Sequence, residues 1–352
     1  MNRLHVIIPA GGVGSRLWPL SRKDRPKFLL DLRMSGKSLL QETIDRLAPI
    51  AASFTIVTGR AHEQAVRAQI PQGLDITVLG EPQGRDSMPA IGLAAYVIRQ
   101  RFGDEAPIAS FAADHAITHP QVLLDCVERA LEVAQKGYVV TIGLRPLTPS
   151  TAYGYIAPGE PFEMESPEKG SIVRSFVEKP DEETAKQYCE QGYLWNAGMF
   201  IMTAGTLARA LTRFHPDMDT HLSAIGSQWG SESCAQTLSE EWPTLTKIAI
   251  DHAVAEPLAS EGGVAVVPAT DMGRTDVGDF DALAQISSEG QALRIDSPDS
   301  FVRSLTGQKI VLVGAPNMAV IATEDAILVV DRNRAQDVKH VVDQLTQSGE
   351  EE

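Results

Sequence analysis

The sequence predicts an α/β fold, a mixed β-sheet flanked by helices and followed by a small all-β appendage, and three observations carry that prediction. Over the first half of the chain, short β-branched runs alternate with helical apolar stripes, the βαβ rhythm of a parallel sheet with right-handed crossovers. Tyr153-Gly154-Tyr155-Ile156 and Ile172-Val173-Arg174-Ser175-Phe176 then alternate like antiparallel strands. Beyond about residue 290 the apolar runs shorten and are broken by Gly314-Ala315-Pro316-Asn317 and Glu324-Asp325, as in stacked short strands.

Taken in order, residues 6–8 form a β-branched strand that stops at Gly11-Gly12-Val13-Gly14. Ser38-Leu39-Leu40-Gln41 has the form of a capping box and opens a helix over 38–48. Strands at 54–58 and 75–79 enclose a polar helix at 61–69, and a turn-rich segment from Glu81 leads into an Ala- and Ile-rich helix at 90–101. A strand at 107–112, an amphipathic helix at 122–134 and a strand at 138–143 follow. Asp181 caps a helix to 191, and Trp195 to Met202 is again strand. Residues 204–260 are mostly helical, with Asp251 capping an Ala- and Val-rich turn, and 263–268 is a short strand. The appendage has strands within 309–313 and 318–330 and ends in a helix at 334–346.

Composition narrows the function. The chain has 352 residues and a formal charge of −15, with 46 carboxylates against 31 Lys and Arg. A general nucleic-acid or anionic-membrane surface needs extended basic patches, so neither partner is expected. Cys126, Cys189 and Cys234 are odd in number, widely spaced and outside any Cys-x-x-Cys pattern, which suggests neither a disulfide framework nor a zinc site and points to the cytoplasm. No signal peptide is expected, and no run of eighteen apolar residues occurs.

Against that acidic background, the stretch from Gly11 to Lys27 is basic. It carries Arg16, Arg22, Lys23, Arg25 and Lys27 behind Gly11, Gly12, Gly14 and Ser15. Glycines let backbone N–H groups approach a ligand, so this loop suits phosphate oxygens. It is not a dinucleotide fingerprint, because Leu17 stands where the last glycine belongs, and Asp31 spoils a Walker A reading of Gly36-Lys37-Ser38. A plain glycine turn with solvated basic residues is the alternative.

Other candidates lie at strand ends, where open α/β sheets bind ligands. Asp114 and Asp276 each follow a strand and suit one Mg²⁺ whose remaining coordination is filled by phosphates and water, although Asp114 would equally cap a turn. Pro180 holds Glu178 and Lys179 at the end of a strand, either for a ligand or as a surface ion pair. Asn196 offers amide contacts to sugar hydroxyls or closes a turn.

Ala10-Gly11-Gly12-Val13-Gly14-Ser15-Arg16-Leu17-Trp18-Pro19-Leu20-Ser21-Arg22 with Pro26-Lys27 resembles the signature of the sugar-1-phosphate nucleotidyltransferases. Further matches follow in order: Glu81-Pro82 through Gly84-Arg85, Pro89-Ala90-Ile91, Ala113-Asp114-His115, Tyr153 to Ile156, Phe176 to Asp181, Trp195 to Phe200, Asp276-Val277-Gly278, and Arg334-Ala335-Gln336-Asp337-Val338. The resemblance implies a Rossmann-like nucleotidyltransferase core with a mixed sheet over residues 1–288 and a small C-terminal left-handed β-helix-like domain over 289–352. It implies GTP and mannose 1-phosphate as substrates, GDP-mannose and pyrophosphate as products and Mg²⁺ as cofactor; the β appendage itself offers a subunit contact, for a homodimer through the C-terminal domain.

By the same resemblance, Arg16 and Lys27 contact the triphosphate. Gly11, Gly12, Gly14, Ser15, Gly84 and Asp86 bind the nucleotide, Gly154, Glu178, Lys179 and Asn196 the sugar phosphate, and Asp114 and Asp276 the metal. Asp86 stands where the family usually has Asn, Arg274-Thr275 replaces a common Trp-Ser, and Phe280 replaces Trp. Alternatives are UTP or dTTP with glucose 1-phosphate, a catalytically silent sugar-nucleotide-binding regulatory subunit, and a nicotinamide dehydrogenase, which Leu17 disfavours. The added isomerase domain of bifunctional members is not expected.

Overall fold

The computed structural model describes residues 4–151, 153–162, 169–177, 180–287 and 292–349. Its strands, in chain order, are β1 (Leu4–Ala10), β2 (Ala51–Gly59), β3 (Ile76–Glu81), β4 (Pro107–Ser110), β5 (Ala116–Ile117), β6 (Val139–Leu144), β7 (Tyr155–Pro161) and β8 (Ser171–Val177). They continue with β9 (Leu194–Thr203), β10 (Val264–Ala269), β11 (Arg274–Thr275), β12 (Ala292–Ile295), β13 (Phe301–Ser304), β14 (Ile310–Val313), β15 (Met318–Ala322) and β16 (Ile327–Asp331). The chain divides into two compact units, the first made of residues 1–11, 44–112 and 117–273, the second of 12–43, 113–116 and 274–352.

The first unit is built on a nine-stranded sheet in the order β3-β2-β1-β4-β9-β6-β10-β8-β7. β1 pairs in parallel with β2 and β4, and β2 with β3, as the βαβ rhythm requires. β9 then runs antiparallel between β4 and β6, so the sheet is mixed. The alternating segments form the antiparallel pair β7 and β8, with Ile156 opposite Phe176. Central strands covered on both faces read as continuous apolar runs, and β1 is buried along nearly all its length.

Helix Ser87–Phe102 is buried continuously from Met88 to Ile98, which is why its sequence shows no polar face. Helix Pro216–Ser227 approaches it so closely that a Cβ on Gly92 would lie 2.5 Å from Leu222 Cδ1. Trp242, fully buried, adds an indole N–H donated 2.8 Å to the Gln83 carbonyl. One expectation fails here. The turn at residue 251 is a π-helix, Asp251–Ala255, whose N-cap is Ile250, so Asp251 is its first residue and not its cap.

The second unit includes a parallel pair β12-β14 and a three-stranded sheet β13-β15-β16. Leu17, Leu20 and Leu32, from the stretch after the glycine turn, share one core with Val277, Phe280, Phe301 and Ile321. Each such side chain contributes about 1.5–3 kcal/mol on burial, so the basic loop is folded against the end of the chain. The buried Arg303 adds a hydrogen bond from Nη2 to the Leu32 carbonyl at 3.1 Å. The capping box forms as written: Gln41 N donates to Ser38 Oγ at 3.2 Å, and Ser38 N to Gln41 Oε1 at 3.0 Å.

Candidate active site

The glycine turn is set by backbone geometry. Gly12 and Gly14 have φ of 80° and 79°, in the left-handed region. At Gly14 space is closed as well as angle, because a Cβ there would lie 2.9 Å from Cγ and Cδ of Lys27. Among the described residues nothing lies within 4 Å of a Cβ built on Gly11 or Gly12, which leaves room there for a ligand. Ser15 begins a short 3₁₀ turn, Ser15–Leu17, and Ser21 Oγ donates to the Gly14 carbonyl at 2.5 Å. Lys27 N donates to the Val13 carbonyl at 3.1 Å, which ties the lysine's backbone to the turn.

The Lys27 side chain then reaches across to both candidate metal ligands. Its ammonium lies 2.8 Å from Asp114 Oδ2 and donates to the Asp276 carbonyl at 2.9 Å. Val277, buried and β-branched, follows Asp276 at φ 47°, a conformation such residues rarely adopt and one that costs on the order of 1–3 kcal/mol. Arg274 Nη2 donates 3.0 Å to His115 Nε2, beside Asp114. An arginine only donates, so His115 accepts on Nε2 and carries its ring proton on Nδ1.

The donor set fits a divalent metal that shares its ligands with substrate. An ammonium already sits among the oxygens of Asp114 and Asp276, which marks a position built for positive charge. Among the described residues no three His, Cys, Asp or Glu gather as a metal cage. One Asp114 carboxylate and the Asp276 backbone carbonyl meet here, an oxygen pair that leaves most of a hard cation's coordination to phosphate and water.

The basic loop's arginines find separate partners. Arg16 Nη1 donates to Gln336 Oε1 at 2.6 Å, while Arg22 Nη2 lies 2.9 and 2.7 Å from the two carboxylate oxygens of Asp325.

In the first unit, the loop after β3 is pinned from outside. Arg85 donates through Nη2 to the Pro243 carbonyl at 2.7 Å and through Nη1 to that of Leu245. Ser87 Oγ accepts from Ile250 N at 3.0 Å. Asp86 has φ 69° and accepts from Ser87 N at 2.7 Å as the N-cap of the helix, so one of its oxygens is spent on structure. Gly84 lies beside Glu81, a Cβ on it falling 3.9 Å from Glu81 Oε1. Glu81 is buried, its Oε2 has no hydrogen-bond partner among the described residues, and burial pushes its carboxyl up to about 7. The motif match named Glu81, but nothing local marks an acid as buried.

Asn196 stands in β9 with both ends of its amide engaged. Its Oδ1 accepts from Thr141 Oγ1 at 3.0 Å and Gly198 N at 3.1 Å, and its Nδ2 donates to Asp251 Oδ1 at 2.6 Å. Its backbone N donates to the Gly154 carbonyl at 2.8 Å, which brings two of the sugar-phosphate candidates together. Asp251 is the member sequence reasoning missed. Its partner lies 55 residues away, and its own neighbours suggest only a helix start. Glu178 and Lys179 lie outside the described residues.

Comparison with known proteins finds two family models along the chain. The nucleotidyl transferase model matches residues 5–292, and the mannoseP isomerase/GMP-like β-helix domain model matches 290–345. The mannose-1-phosphate guanylyltransferase of Escherichia coli K12 is 34% identical, covering 100% of this chain and 75% of its own length. That of Salmonella muenchen is 36% identical, covering 98% and 74%. A solved structure from Thermus thermophilus, described as a mannose-1-phosphate geranyltransferase, superposes with a TM-score of 0.83 at 32% identity over 98% of this chain and 100% of that one. No helix among the described residues is long and apolar enough to cross a membrane.

Proposed function

This chain belongs to the nucleotidyl transferase family, and we propose that it transfers GMP from GTP to mannose 1-phosphate, forming GDP-mannose and pyrophosphate. The relatives' names support the choice of base and sugar. The observation that carries the chemistry is the Lys27 ammonium held between the Asp114 carboxylate and the Asp276 carbonyl behind an open glycine turn.

A phosphate oxygen of mannose 1-phosphate attacks the α-phosphorus of GTP in line. One P–O bond forms, the bond from the α-phosphorus to the bridging oxygen breaks, and pyrophosphate leaves with that oxygen. The nucleophile's second pKa is about 6, so it is largely ionised at neutral pH and no catalytic base is required. The work left to the protein is alignment and charge stabilisation. Glycine-turn amides and Arg16 bind the triphosphate, and Lys27 turns from Asp114 to the leaving phosphates. Gly84 and Asp86 take the nucleoside end, while Gly154, Asn196, Glu178 and Lys179 take the sugar phosphate, with Asp251 holding the Asn196 amide. Asp114 and Asp276 are the residues that would hold Mg²⁺, which would supply neutralisation of the phosphates.

The free cysteines support a cytoplasmic setting. On β12 and β14, Leu293, Ile295, Val311 and Val313 are all exposed, and Leu293 pairs with Val311 and Ile295 with Val313. Four adjacent exposed apolar side chains support a homodimer through this domain. Light scattering tests it, since Leu293→Asp should shift a dimer to monomer.

The activity is tested by pyrophosphate release with Mg²⁺, crossing GTP, ATP, UTP and dTTP against mannose 1-phosphate and glucose 1-phosphate. Release mainly from GTP with mannose 1-phosphate is expected. Another preferred pair moves the substrate, and silence in every combination removes the enzymatic reading.

A further inference from the structure

The run Arg334-Ala335-Gln336-Asp337-Val338 has no part in the chemistry above, yet Gln336 touches Arg16. Its Oε1 accepts from Arg16 Nη1 at 2.6 Å, and its Nε2 donates to Asp279 Oδ2. Asp279 is itself fixed, because Oδ1 caps helix Phe280–Ile286 by accepting from Ala282 N at 2.9 Å. The direction of the chain is forced. A guanidinium only donates and a carboxylate only accepts, so the amide must turn its oxygen to Arg16 and its nitrogen to Asp279.

The middle link is neutral, and that sets Arg16 apart from Arg22 and Lys27. Arg22 spends its charge on the Asp325 carboxylate and Lys27 pairs with Asp114. Arg16 is instead oriented by an amide, which holds the guanidinium without cancelling its charge and keeps Asp279 one side chain away. We propose that Gln336 is a positioning residue that aims a fully charged Arg16 at the triphosphate, an inference that rests on the nucleotidyl-transfer reading. Glutamate at this position would bond Arg16 more strongly, neutralise it and repel Asp279. Bond strength alone therefore favours glutamate, whereas delivery of charge requires the amide.

The test compares the wild type with Gln336→Ala and the nearly isosteric Gln336→Glu. It measures the KM for GTP, the KM for mannose 1-phosphate, and the dissociation constant of inorganic tripolyphosphate by calorimetry. Both variants should raise the KM for GTP and weaken tripolyphosphate by about tenfold, the size expected for one charge-assisted hydrogen bond. Glutamate should do no better than alanine, and the KM for mannose 1-phosphate should stay within about twofold. A glutamate variant equal to wild type would overturn the proposal, as would parallel rises in both KM values, the mark of general loosening. A wild type that releases no pyrophosphate would remove the nucleotidyl-transfer reading. The tripolyphosphate titration would then decide by itself: weakened binding in the variants upholds the role of Gln336, and unchanged binding overturns it.

Discussion

The Lys27 ammonium and the Asp114 carboxylate stand 2.8 Å apart, so the lysine expected at the triphosphate and the aspartate expected at the metal are each other's counter-ion. Substrate and metal must exchange this contact for their own. Lys27→Ala should therefore act in two directions. In the absence of nucleotide, Mn²⁺ used as a spin probe should bind more tightly, because Asp114 no longer has an internal cation. Turnover should fall on the order of 10²-fold, as for loss of one donor to developing charge. Weaker Mn²⁺ binding would show that the lysine supports the metal site.

Asp276→Asn tests the second ligand with little disturbance, since Lys27 is held by the Asp276 backbone carbonyl and that survives the change. Thermal stability should be close to wild type, while Mg²⁺-dependent turnover falls on the order of 10²-fold or more. An unchanged Mg²⁺ dependence would remove Asp276 from the metal site.

Gly14→Ala combines an unfavourable φ of 79° with a Cβ only 2.9 Å from Cγ and Cδ of Lys27. The backbone term alone costs about 1–2 kcal/mol. A lowered urea midpoint together with a raised KM for GTP is expected, because the same methyl displaces Lys27. Wild-type values for both would show that the turn relaxes freely.

Glu81→Gln tests the buried acid. Its folded pKa is raised from 4.5 to about 7, so above pH 4.5 the unfolded chain has lost a proton that the folded chain keeps. Folding then takes up a proton, and stability falls as pH rises from about 4.5 to about 7 and levels off beyond. The loss approaches about 3 kcal/mol, since each tenfold gain in proton affinity is worth about 1.4 kcal/mol. Urea unfolding at pH 5 and pH 8 should show the variant losing less stability than the wild type over that interval. Parallel curves would place a counter-charge at Glu81.

Asp251→Ala removes the carboxylate that accepts from Asn196 Nδ2 at 2.6 Å. Because Asn196 also bonds the Gly154 backbone, the KM for mannose 1-phosphate should rise by about tenfold with little change for GTP. Equal rises for both substrates would argue that the contact only braces the sheet.

What the sequence by itself determined lies in short-range patterns. The alternation of β7 and β8, the parallel rhythm of β1, β2 and β3, the Ser38 capping box and the glycine turn all depend on periodicity, capping or backbone freedom among near neighbours, and a linear sequence records those directly. Tertiary structure decided the partners. Asn196 meets Asp251 across 55 positions, Lys27 meets the Asp276 carbonyl across 249, and Arg16 meets Gln336 across 320. Asp251 looked like a cap because its neighbours are helical, and Gln336 stood in a matched run with nothing beside it to name its partner. Their work depends on where the chain returns. Burial of Leu17, Leu20 and Leu32 with Phe301 and Ile321 brings that return about, setting the end of the chain beside its first basic loop.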